Sequence, residues 1–62
     1  MSQSTPARER FLITAFAHST RAVENFEALF ALARRITEAE AVGFKIDPDS
    51  VEEAVKRVLG VD

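Results

Sequence analysis

A length of sixty-two residues, with no cysteine and one histidine, excludes a multidomain chain, a disulfide framework and a zinc site built from thiolates or paired histidines. So short a chain buries only about 60% of its unfolded surface, yet 47% of its residues are hydrophobic and five are Phe. Its net charge of −2 offers no overall attraction to nucleic acid or anionic lipid, so composition points to association with a copy of itself or with a larger protein complex.

Taken in order, residues 1–5 are polar and without periodicity, and they read as a disordered end to a single small helical domain spanning 1–62. Thr5 followed by Pro6 still offers a helix start, with a hydroxyl cap and then a proline where no N–H is needed. Arg8 and Arg10 ahead of a short apolar run ending Ala15, Phe16, Ala17 mimic a secretory leader. The run is too short for one and is interrupted by Thr14. No stretch approaches the roughly 20 apolar residues of a membrane span, so a cytoplasmic location is expected.

From Ala7 to Val42 there is neither Gly nor Pro. With Leu12 set at heptad position a, the a, d and e positions run Leu12, Ala15, Phe16, Ser19, Ala22, Val23, Phe26, Leu29, Phe30, Ala33, Ile36. The phase holds throughout, so one long amphipathic helix over about 6–42 is expected, a rod on the order of 50 Å long. The alternative is a break near residues 18–20, where His18, Ser19 and Thr20 are poor helix formers in a row. A rod has to find partners, whereas a break lets the chain fold on itself as a bundle.

Gly43 suits the residue just past a helix end. Phe44 and Ile46 are expected to tuck back onto the apolar stripe, and Asp47, Pro48 and Asp49 to form a turn. Ser50 and Glu53 have capping-box spacing, which predicts a short closing helix over about 50–59. Its apolar side would carry Val51, Ala54, Val55, Val58 and Leu59. Glu52 with Lys56 and Glu53 with Arg57 stand in the favourable i,i+4 order. Gly60 closes the helix, and Val61 is placed to seal the last turn.

Charge is segregated along the chain: residues 1–37 hold five Arg against three Glu, and residues 38–62 hold seven acids against three bases. The two parts could pair head to tail, within one chain or between chains, or stand as solvated faces.

Signs of chemistry are sparse. His18 has no carboxylate three or four residues away to orient it, and neighbouring Ser19 and Thr20 point elsewhere on a helix. Glu24, Glu27, Glu38 and Glu40 lack the Glu-x-x-His spacing of a bundle metal site. Asp47, Asp49 and Glu53 lack the calcium-loop pattern. Two glycines cannot make a phosphate-cradling loop. The expectation is a non-enzymatic protein with no catalytic residue, no cofactor and no metal.

Residues 38–59 contain a helix end, a glycine turn and a second helix. The turn is too long for a DNA-binding helix-turn-helix, and Glu52 and Glu53 would meet phosphates. The five Phe side chains could line an apolar ligand pocket, but aromatic residues at helical spacing more often build a core or an interface.

The sequence therefore reads as all-α: a long amphipathic helix, a Gly-Phe/Asp-Pro corner and a short helix packed back, a hairpin or bundle completed by oligomerisation. The leading function is a protein-interaction module, self-associating or an accessory subunit, acting through Leu12, Phe16, Val23, Phe26, Leu29, Phe30 and Ile36 as a helix face buried in a partner. The alternative is a small nucleic-acid-binding regulator using Arg8, Arg10, Arg21, Arg34 and Arg35.

Overall fold

Residues 5–61 are described in a computed structural model. They form four helices and no strand: α1 (Pro6–Ala17), α2 (Ser19–Glu24), α3 (Phe26–Ala41) and α4 (Pro48–Leu59). Among the described residues, no helix is long and apolar enough to cross a membrane. The closing helix packs back on the earlier ones, as the sequence predicts, and α1 makes the most extensive packing against it.

The rod expected over 6–42 is not continuous. It breaks at His18 (φ −124°, ψ 48°), the alternative read in the sequence, and again at Asn25 (φ −119°, ψ 36°), which the sequence reading missed. Neither residue caps the following helix with its side chain. Asn25 instead ends the preceding one, its Nδ2 donating to the Arg21 carbonyl at 3.0 Å. The breaks fold a would-be rod into dimensions of 30 × 20 × 19 Å. That folding returns α3 to the core, where burying Leu29 and Ile36 stabilises the chain by about 1.5–3 kcal/mol each, enough to offset the helical hydrogen bonds disturbed at two kinks.

The core centres on α4. Val51, Val55 and Leu59 recur every four residues and so form one stripe, and all three are buried, Val55 completely. Ala7 and Thr14 of α1 and Leu29 and Ile36 of α3 are also buried, with Phe11, Ala15, Ala22, Leu32, Ile46, Val58 and Val61 packed around the apolar cluster. The heptad assignment for α1 is therefore rotated. Its inward side is Ala7, Phe11 and Thr14, whereas Leu12 and Phe16 face away. α1 carries apolar residues on both sides, so periodicity alone does not select the buried one.

Helix ends account for the rest. Thr5, read in the sequence as the last of a disordered end and also as a hydroxyl cap before Pro6, is the N-cap of α1: its Oγ1 accepts from the Arg8 N–H at 3.2 Å and donates to Glu40 Oε1 at 2.9 Å. Residues 1–4 lie outside the described residues. α4 starts at Pro48, two residues before the predicted start, because Asp47 takes the cap in place of Ser50. Asp47 Oδ2 accepts from the Ser50 N–H at 3.3 Å. An Asp cap before a proline leaves one fewer N–H to satisfy, so it prevails over the Ser50 and Glu53 box.

Both glycines terminate helices through positive φ, 97° at Gly43 and 71° at Gly60. After each, the next N–H reaches back to close the turn, Phe44 to the Ala39 carbonyl and Val61 to the Lys56 carbonyl, both at 3.0 Å. In the corner between α3 and α4, Ile46 tucks against the core as expected, but Phe44 stays exposed.

Candidate protein-interaction face

Charge segregation resolves within one chain. Arg8 Nε lies 3.0 Å from Glu40 Oε1, which joins α1 to α3. Arg10 Nη1 lies 2.9 Å from Asp49 Oδ1 and 2.7 Å from Glu52 Oε1, which joins α1 to α4. Glu52 also receives Lys56 Nζ at 3.1 Å, while the predicted partner pair of Glu53 with Arg57 is not formed among the described residues. Lys56 first, and then Arg10, hold the Glu52 carboxyl below the usual carboxylate range. Asp49 and Glu52 in turn raise the Arg10 guanidinium.

These pairs place the five arginines of the alternative site. Arg8 and Arg10 are engaged by carboxylates on other helices, and Arg34 Nη2 lies 3.6 Å from Glu38 Oε2 on its own helix. Arg21 and Arg35 are exposed and form no ion pair among the described residues. The five are therefore not gathered into one uncompensated basic stripe.

The predicted apolar face divides in two. Leu29 and Ile36 are in the core, 8% and 7% exposed, and so offer almost no surface to a partner. Leu12, Phe16, Val23, Phe26 and Phe30 stand outside, with Phe16 77% and Phe26 64% exposed. Helical geometry explains the division on α3. At 100° per residue, Leu29, Leu32 and Ile36 fall on one side, and Phe26, Phe30, Ala33 and Thr37 on an adjacent one. The apolar stripe of α3 is wider than the core can cover.

Those outer side chains adjoin one another. Phe26 and Phe30 stack, with ring centroids 6.1 Å apart and planes 22° from parallel, a favourable offset arrangement. Phe30 shares a depression with Ala33 and Thr37. Ala33 and Thr37 in turn line a cleft of about 220 Å³ between α1 and α3, with Arg8, Phe11, Leu12 and Ile36. Leu12 continues the surface to Ile13 and Phe16. Ile13 belongs to this face and was missed, because its heptad position is polar in the long-rod register. Val42 and Phe44 form a separate exposed apolar spot at the corner after α3.

His18 is half-buried at the first break. Among the described residues, no three His, Cys, Asp or Glu side chains converge where a metal ion could sit. Compared with known proteins, the chain matches no family, no curated protein and no solved structure.

Proposed function

We propose that this chain is a non-enzymatic, cytoplasmic protein-interaction module, either self-associating or an accessory subunit, and that the face running from Phe16 through Leu12 and Phe30 to Phe26 is its contact surface. One observation carries the reading. Five large apolar side chains, Leu12, Ile13, Phe16, Phe26 and Phe30, remain exposed and adjoining after the core is complete. A fully exposed aromatic side chain presents about 150–250 Å², so at these exposures the group presents on the order of 600 Å², the upper limit of the apolar patch an ordinary monomer shows. Leu29 and Ile36 drop out of the contact set, Ile13 joins it, and Val23 stays at its edge beside Phe26. The ion pairs on Arg8, Arg10 and Arg34 weigh against the nucleic-acid alternative, since binding phosphates there would first require breaking them.

The test is photocrosslinking in living cells with a photoreactive phenylalanine analogue at position 16, 26 or 30. A discrete adduct from these positions, and none from the exposed position 57 on α4, is the expected outcome. Absence of an adduct at all three positions overturns the reading.

A further inference from the structure

We infer that the partner on this face is a second copy of the chain, related by a twofold axis, with Phe16 of each copy seated in the cleft between α1 and α3 of the other. The inference rests on the interaction reading above and adds the identity of the partner.

Two observations favour a copy. First, one face carries both a protruding ring and a recess that fits it. Phe16 stands one helical turn beyond Leu12, outside the cleft, and is the most exposed aromatic side chain of the chain. The cleft of about 220 Å³ is lined mainly by Phe11, Leu12, Ala33 and Ile36, and an apolar space of about 150 Å³ already admits a benzene ring. A twofold interface requires this pairing, because each element of the patch must meet its complement in the same patch.

Second, the area fits. The exposed apolar group, on the order of 600 Å², supplies most of the roughly 800 Å² per partner of a standard stable interface. The rim carries Glu9 beside Phe16 and Glu24 and Glu27 beside Phe26, none in an ion pair among the described residues, while Arg34 pairs with Glu38 and Arg8 with Glu40. The dimer should therefore tighten as added salt screens the acids on the two identical faces.

The experiment is sedimentation equilibrium on the purified chain across a concentration series, with circular dichroism confirming that each variant is folded. The wild type is expected to form dimers, and Phe16→Ala to weaken them at least tenfold. Filling the cleft from its exposed edge with Thr37→Phe, or from within with Ala33→Phe, is expected to weaken them similarly. On a merely sticky surface an added ring would strengthen association. An equimolar mixture of Phe16→Ala and Thr37→Phe should dimerise more tightly than either variant alone, since one chain keeps the cleft and the other keeps the ring.

A wild type that stays monomeric at every concentration overturns the second-copy inference. So does a dimer indifferent to Phe16→Ala, or a mixture no tighter than its components. If the monomeric chain still gives the crosslinked adduct at position 26 with a different protein, the interaction reading stands and only the identity of the partner falls. If no adduct forms either, both fall.

Discussion

Arg10 and Glu52, 42 positions apart in sequence, are joined by a 2.7 Å contact between Nη1 and Oε1, and the same nitrogen holds Asp49 Oδ1 at 2.9 Å. One guanidinium thus clasps the start of α1 to the first turns of α4. Arg10→Ala should lower the melting temperature, by less than truncation of a core residue, because the carboxylates are solvated once freed. The loss should shrink in high salt. A melting temperature unchanged at low salt would show the clasp to be energetically idle.

The same clasp sets an acid response. Because Lys56 and Arg10 depress the Glu52 pKa, its contribution is present above the ordinary carboxylate pKa and is lost as pH falls through the depressed folded value. The raised Arg10 pKa works in the opposite sense, and its contribution is lost only at extreme alkaline pH. Stability should therefore fall below about pH 4, and Glu52→Gln should flatten that part of the profile. Thermal melts from pH 3 to 7 on both proteins check this.

Core truncation should be severe. Leu59 is 1% exposed and Val55 fully buried, so Leu59→Ala should cost about 2–5 kcal/mol through lost burial and the cavity left behind. For a domain this small each kcal/mol lowers the melting temperature by roughly 4–8 °C. Urea denaturation measures the loss directly, and a cost under 1 kcal/mol would contradict the placement of Leu59 at the centre.

The two helix-ending glycines isolate backbone strain. A Cβ at Gly43 would meet nothing within 4 Å, and at Gly60 only Arg21 Nη1 at 3.9 Å. Gly43→Ala and Gly60→Ala should each cost about 1–2 kcal/mol from left-handed φ alone. Gly→Asn, which tolerates that region better, should recover part of it.

Local features were legible in the sequence, and long-range choices were not. Thr5 before Pro6, Gly43, Gly60 and the pair of Glu52 with Lys56 each announce themselves within a few residues. Asp47 reads as a turn residue and Ser50 as the cap, and only the structure shows Asp47 taking the cap and setting the start of α4. The break at His18 has a sequence signal in three weak helix formers. Asn25 stands alone among good helix formers, and its kink makes sense only once Leu29 and Ile36 are seen against α4. Likewise, the side of α1 that faces inward depends on the small residues Ala7 and Thr14 fitting against the core, information that resides in the partner helix. The charge segregation hinted at Arg8 and Arg10 meeting the acidic part, but not at which carboxylates.

α2 should be the first element to open. It is six residues long and contributes no buried residue, so its unfolding exposes little apolar surface. Native-state hydrogen exchange should show its amides exchanging well before those of α4. Protection in α2 equal to that in α4 would mean the two open together.

The dominance of packing between α1 and α4 also orders events during synthesis. α1 emerges before α4, but its inward side has nothing to close on until Val51, Val55 and Leu59 have been made. Until then these helices have no shared core, and helices of this length are marginal by themselves. Folding therefore waits on the arrival of α4, and until then the same aromatic side chains that stay outside the finished protein are joined at the surface by those destined for its interior. That interval, more than the folded state, is when the nascent chain is most open to capture by a chaperone.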